Sequence, residues 1–152
     1  PARPAAADRG LPTPRFVSLT PDEVNGRAGP GRRYPIDWVF LRRNMPVEVV
    51  AEFDTWRKIR DFEGTEGWVH QSLLAGRRGA LLTGGGIHEL RAQPRGEAAV
   101  VARAESGVIG ELLTCPAGDD AAAGWCQIDI AGHRGWLPRA ALWGLYAEEA
   151  VE

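Results

Sequence analysis

Two tryptophans begin the two most similar segments of the chain and are candidates for ligand binding. Trp56 opens the run WRKIR, and Trp125 opens the run WCQIDI. Side chains alternate between the two faces of a β-strand, so a core position for Ile59 or Ile128 places the tryptophan of the same run on the outer face. An outward aromatic ring suits stacking against sugars, prolines or peptides. Each tryptophan is therefore either a ligand platform or a ring covered by a loop or by the neighbouring domain.

Two arginines occupy matching places in two related segments. Arg27 lies in NGRAGPG, shortly before Pro30, and Arg91 lies in ELRAQP at the same distance from Pro94. A guanidinium group can bind a carboxylate through two parallel hydrogen bonds, which makes both arginines candidates for recognising an acidic ligand. The alternative is that each arginine holds its own loop through an ion pair or through hydrogen bonds to backbone groups.

Further aromatic residues follow the glycine-rich loop 29–31. Tyr34, Trp38 and Trp68 could line a groove beside this loop, as aromatic rings do in barrels that recognise proline-rich peptides. Trp136 takes the place of Trp68 in the second Gly-Trp pair and is a candidate for the same reason. The alternative role of these rings is packing in the core.

Cys115 and Cys126 are the only cysteines of the chain. The repeat places them on adjacent strands with both side chains facing the core, and it aligns Cys115 with Phe53. The favoured interpretation is a cross-strand disulfide, which would stabilise the fold by about 2 to 3 kcal/mol and imply an oxidising compartment. The alternative is a reduced pair that packs as two small apolar residues.

The sequence carries no recognisable catalytic motif, and we expect a protein that is not an enzyme. The three histidines, His70, His88 and His133, are scattered, and neither cysteine has the surroundings of a known nucleophile. No CxxC spacing is present, so neither a metal site nor a cofactor is expected. A net charge of −2 and a pI near 6.0 do not favour nucleic acid as a partner. No apolar stretch is long enough to span a membrane.

The elements that must position these residues are short strands arranged in two copies. The runs from Trp56 to Val69 and from Trp125 to Leu137 repeat one pattern, with Gly and Pro marking the turns, and no long helical period interrupts it. This pattern predicts an all-β fold made of two tandem small barrels. The predicted divisions are a disordered leader or linker at 1–15, a first barrel at 16–78, a glycine-rich linker at 79–86, a second barrel at 87–147 and a C-terminal tail at 148–152.

Two local predictions concern the start of the first copy. Residues 16–19 alternate in the manner of an edge strand. Residues 22–31 contain several Gly and Pro residues, which favour a long irregular loop.

Several of these motifs together resemble the bacterial SH3 domain family. They are the run NGRAGPG, the strand opened by Trp56, the sequence GWVH and the short turn after it. The resemblance covers roughly residues 16–146 in two tandem copies. The first copy departs at Gly26, where the family usually has an aliphatic core residue, and the second has Gln93 where the family has Gly.

The resemblance implies five-stranded, SH3-like barrels that bind rather than catalyse. It also implies an exported protein of the periplasm or cell envelope, whose ligand is either a peptidoglycan peptide or another envelope protein. A third possibility is the targeting part of a cell-wall enzyme. The first residue is Pro rather than Met, which fits either a removed signal peptide or a trimmed sequence.

Overall fold

The computed structural model describes residues 12–152, which form two compact units with the boundary in the chain between Arg78 and Gly79. The described part of each unit is built from β-strands and one 3₁₀ turn, at Gln71–Leu73 in the first and Arg139–Ala141 in the second. The predicted all-β class is confirmed. No helix in residues 12–152 is long and apolar enough to cross a membrane.

The two units have the same strand order. The strands of the first unit are β1 (Arg15–Leu19), β2 (Val24–Arg27), β3 (Ile36–Phe40), β4 (Pro46–Phe53), β5 (Trp56–Arg60), β6 (Glu66–His70) and β7 (Leu74–Ala75). Those of the second unit are β8 (Gly79–Leu82), β9 (Ile87–Arg91), β10 (Val100–Glu105), β11 (Ile109–Thr114), β12 (Trp125–Ile130), β13 (His133–Pro138) and β14 (Leu142–Trp143). The sheets run β3-β2-β6-β5-β4-β1-β7 and β10-β9-β13-β12-β11-β8-β14, so each strand has a counterpart seven places along the chain.

Each unit has its own apolar core, because the inward residues of its antiparallel strands meet on one side of the sheet. The fully buried side chains of the first core include Leu19, Val47, Val49, Ile59 and Val69. Those of the second core include Leu82, Leu90, Cys115, Cys126 and Ile128.

A tight hairpin places Trp56 at the beginning of β5. Phe53 pairs with Trp56, so only Asp54 and Thr55 form the turn, and Asp54 adopts a left-handed conformation with φ of 56°. Aspartate tolerates this conformation better than most residues with a side chain. The turn brings the ring of Trp56 to the end of the sheet where β2 and β6 meet.

The predicted linker at 79–86 was wrong in its first half. Gly79–Leu82 is strand β8, buried throughout and paired with both β11 and β14. It is the counterpart of β1, because Leu82 pairs with Leu142 as Leu19 pairs with Leu74. The apolar run of β8 belongs to the second core, and only the glycines at 84–86, all with positive φ, form a loop after it.

Four further predictions about the chain needed correction. Residues 22–31 are not all loop, because Val24–Arg27 forms β2, and strand β1 lies inside its sheet between β4 and β7 rather than at an edge. The predicted leader reached Arg15, which instead begins β1; residues 1–11 lie outside the described part of the chain. The predicted tail contains Val151, which is buried and bridges Cys115 through two backbone hydrogen bonds.

Candidate ligand-binding grooves

The alternation predicted for β5 and β12 is present in the structure. Ile59 and Ile128 are fully buried, whereas Trp56 and Trp125 are half-buried on the opposite face. Both tryptophans are therefore partly open to solvent, and each lies against a groove.

The first groove has a volume of about 210 Å³ and runs between β2, the loop after it, and the ends of β5 and β6. It brings together two of the predicted candidates, Arg27 and Trp56. The full lining is Glu23, Val24, Asn25, Arg27, Arg32, Trp56, His70 and Leu73.

His70 forms part of this groove but was not among the predicted site residues. It pairs with Trp56 across β5 and β6, and the two rings meet edge to face with centroids 5.5 Å apart. Its Nδ1 accepts a hydrogen bond from the backbone N–H of Ser72 at 3.1 Å, so in the neutral ring Nε2 carries the proton. The sequence could have indicated that His70 belongs to the site, because it follows Trp68 by two residues and therefore lies on the same face of the strand.

Arg27 holds the loop that follows β2. Its Nη1 donates to the carbonyl oxygens of Tyr34 at 3.0 Å and Arg32 at 3.2 Å. This is the loop-holding alternative that the sequence left open. Within residues 12–152 the guanidinium makes no ion pair with a carboxylate, so it keeps donors for a ligand.

The second groove is formed by the counterparts of the same positions and is larger, about 550 Å³. It brings Arg91 and Trp125 together, as the first groove does with Arg27 and Trp56. The full lining is Ile87, His88, Glu89, Arg91, Gly96, Arg103, Trp125, Leu137, Pro138 and Ala141.

Three replacements explain why the second groove is wider. Gly96 stands where the first groove has Arg32, Ala141 where it has Leu73, and Pro138 where it has His70. Two of these replacements remove a long side chain from the wall, and the third exchanges an imidazole for a proline ring. The second groove therefore has more room than the first.

The charges of the second groove are paired with each other. Glu89 accepts from Arg91 at 2.8 Å and from Arg103 at 3.2 Å, so one carboxylate lies between two guanidinium groups. Arg91 also donates to the carbonyl of Ala98 at 3.0 Å, the counterpart of the Arg27–Tyr34 bond. The first groove has Asn25 at the position of Glu89, so its arginines lack this carboxylate.

The remaining aromatic candidates do not line either groove. The ring of Tyr34 packs over Gly29, where a Cβ atom would meet the ring at 2.5 Å, and the Arg33 guanidinium lies 4.8 Å from the ring centroid. Trp38 lies on β3 and is 48% exposed. Trp68 and Trp136 are half-buried on β6 and β13, beside Lys58 and Gln127 of the neighbouring strands.

Cys115 and Cys126 form a disulfide, with Cα atoms 4.3 Å apart. The predicted alignment of Cys115 with Phe53 was wrong, because Phe53 pairs with Trp56 and is 62% exposed. In the cross-strand register the counterparts of Cys115 and Cys126 are Glu52 and Arg57.

Arg57 is a buried charge that the sequence interpretation missed. It is only 3% exposed, and its guanidinium donates to the carbonyls of Asp54 and Trp56, both at 2.9 Å, and to Oε1 of Gln71 at 3.0 Å. Its Nε lies 3.5 Å from Oε2 of Glu52, which also pairs with Arg15 at 2.7 Å. The alternation along β5 places residue 57 on the same face as Ile59, so the sequence could have predicted that this arginine is buried.

Metal binding has no support in the described part of the chain. No group of three or more His, Cys, Asp or Glu residues is close enough to hold an ion within residues 12–152.

Comparison with known structures gives a partial likeness at low sequence identity. NlpC1 from Trichomonas vaginalis is 13% identical over 90% of this chain and 48% of that chain, with a TM-score of 0.36. NlpC2 from the same organism is 13% identical over 86% of this chain and 48% of that chain, with a TM-score of 0.37. The chain thus spans about half the length of these structures. No curated protein matches the sequence.

The family comparison agrees with the repeat. The sequence model of the family described as "Bacterial SH3 domain" matches the chain twice, at residues 20–76 and 85–144. The two matches cover most of the chain and fall one on each unit. The predicted fold class of two tandem SH3-like barrels is confirmed, and the chain belongs to the bacterial SH3 domain family.

Proposed function

We propose that the chain is a non-catalytic binding module of the bacterial cell envelope that recognises peptidoglycan peptide through its two grooves. One observation carries the proposal. Each unit builds the same groove from counterpart positions and keeps one tryptophan and one arginine in it, Trp56 with Arg27 and Trp125 with Arg91. A ring wall with a few convergent polar groups is typical of small ligand sites.

The disulfide supports an extracytoplasmic location. Disulfides persist in oxidising environments, such as the periplasm and the cell surface, and are rare in reducing cytoplasm. The proposal therefore places the module outside the cytoplasm, where an envelope ligand is accessible.

The test is co-sedimentation of the oxidised chain with purified, insoluble peptidoglycan. The parent should be retained, and Trp56→Ala and Trp125→Ala should each reduce retention by removing one ring wall. Trp38→Ala is the matched control, because Trp38 is an exposed tryptophan outside both grooves. Absence of retention for the parent, or equal loss in the control, would contradict the proposal.

A second candidate function is binding of an envelope protein, and one observation favours it. Within residues 12–152, strand β3 ends its sheet, since its one pairing there is with β2, and it carries exposed Ile36, Trp38 and Val39. An apolar sheet edge can accept an extended segment of a partner as a further strand. The test is a pull-down from an envelope fraction. Recovery of a partner with the parent and its loss with Trp38→Lys would support this candidate. If that partner were a cell-wall enzyme, the chain would serve as a targeting part.

A further inference from the structure

The two grooves share their architecture but differ in the state of their charges. Among the described residues, neither Arg27 nor Arg32 of the first groove is ion-paired with a carboxylate. Glu23 also lines this groove but lies beyond ion-pair distance of both arginines. The first groove therefore presents unpaired cationic donors next to an aromatic wall.

In the second groove both arginines are ion-paired. Its two guanidinium groups, Arg91 and Arg103, share the carboxylate of Glu89 at 2.8 and 3.2 Å. An entering anion would have to compete with Glu89 and would meet its negative charge. Like-charge juxtaposition is a common way to reject a ligand.

We propose that the first groove binds its ligand through a free carboxylate, the C-terminus of a short peptide, and that the second groove does not. This inference rests on the proposed function of the grooves. Arg27 and Arg32 supply charge-assisted hydrogen bonds to the carboxylate. The proton on Nε2 of His70 adds a donor, and the ring of Trp56 contacts the adjoining apolar part of the peptide.

The position that separates the grooves is residue 25 in the first and residue 89 in the second. Asn25 is neutral and exposed, whereas Glu89 forms an ion pair with the arginine two residues further along the strand. Since residues two apart on a strand share a face, a carboxylate at position 25 would lie beside Arg27 as Glu89 lies beside Arg91. One exchange should therefore transfer the preference from one groove to the other.

The experiment uses the full oxidised chain and two probes, acetyl-alanyl-alanine with a free carboxylate and the same dipeptide as its C-terminal amide, each in the D and L series. Binding is measured by NMR titration, with the indole N–H signals of Trp56 and Trp125 assigned through Trp→Phe variants. At Trp56 the free acid should bind about ten-fold more tightly than the amide, and added salt should weaken the acid only. At Trp125 the two probes should behave alike.

The variants exchange the decisive charges. Asn25→Glu and Arg32→Gln should each weaken binding of the free acid at Trp56 several-fold, while Glu89→Asn should create a preference for the acid at Trp125. Arg33→Gln is the matched control, because Arg33 is the neighbouring arginine of the same loop, lies outside the groove lining and contacts Tyr34. Circular dichroism of each variant checks that it folds.

The outcomes separate this inference from the proposed function. Equal binding of acid and amide at Trp56, or an unchanged preference in Asn25→Glu, would overturn the inference even when the parent sediments with peptidoglycan. A preference for the acid that follows the exchanges would support the inference even when sedimentation fails, and the carboxylate would then belong to a peptide from another source.

Discussion

The two units differ most at the cross-strand pair beside the groove tryptophan. In the first unit Glu52 faces Arg57. The buried guanidinium donates to two carbonyls and to Gln71, and its Nε lies 3.5 Å from the carboxylate without a hydrogen bond to it. In the second unit the same pair is Cys115 and Cys126, joined by a disulfide. Both units therefore link the two strands of this hairpin at the same place, the first by an ion pair and the second by a covalent bond.

A second difference lies in the core beneath β2 and β9. Gly26 faces the ring of Phe40 in the first unit, and a Cβ atom at residue 26 would come within 2.6 Å of that ring. In the second unit the counterpart of Gly26 is Leu90, fully buried, and the counterpart of Phe40 is Ala104. A large and a small residue have changed places, so the volume of the core is kept.

The largest effect on stability should come from substitutions at Phe40 and Gly26, the two residues of the first unit that pack against each other. Phe40→Ala leaves a cavity beside Gly26 and should destabilise the unit by about 3 to 5 kcal/mol. Gly26→Leu alone should also destabilise it, because its side chain meets the ring. The double variant should recover part of the loss, and denaturant unfolding followed in a double-mutant cycle measures this coupling. If the losses of stability in the two single variants simply added in the double variant, residues 26 and 40 would not compensate for each other in volume.

Removing the ionic link should have the next largest effect. Arg57→Met leaves acceptors on Asp54, Trp56 and Gln71 without their donor. We expect the free energy of unfolding to fall by about 3 kcal/mol. This is the low end for a broken buried ion pair, because Glu52 keeps its ion pair with Arg15.

Hydrogen exchange measured on peptides from each unit should show the loss caused by Arg57→Met in the first unit alone. Lys58→Met is the control, since Lys58 is the next residue on the outer face, and it should change stability by less than about 1 kcal/mol. An equal loss in both variants would mean that the buried position of Arg57 is not what matters.

Breaking the covalent link should have a smaller effect, confined to the second unit. The disulfide spans 11 residues, so the variant with both cysteines changed to Ala should lose about 2 to 3 kcal/mol. Hydrogen exchange of the same peptides measures this loss of stability, both in the variant and in the parent with and without reductant. Faster exchange in the first unit to the same degree would contradict the independence of the two links.

Much of the fold could be predicted because it depends on local patterns. The alternation in WRKIR and WCQIDI placed Ile59 and Ile128 in the core and both tryptophans outside, as the structure has them. Strand β8 was missed because its Gly-rich surroundings indicate a linker, and its pairing with β11 and β14 involves residues that are distant in sequence. Val151 was missed for the same reason, since its partner Cys115 precedes a long turn.

The candidate site was predicted in part. Arg27 and Trp56 were named separately, and it is the pairing of β2 with β6, at Arg27 and Trp68, that brings them into one groove. His70 joined the site because the register of β5 and β6 sets it opposite Trp56. Sequence spacing does not specify such registers, because several neighbouring offsets keep the same alternation of faces.

By itself, the sequence determined the all-β class, the two copies and the face on which each groove tryptophan lies, because these follow from residue type and from a period of two. Only the tertiary structure decided that Arg57 takes the place of a cysteine, that Phe40 fills the space above Gly26, and that Glu89 pairs with both arginines of one groove while Asn25 gives the arginines of the other no such partner. These features depend on which side chains meet across strands, and such contacts are specified by register and packing in three dimensions.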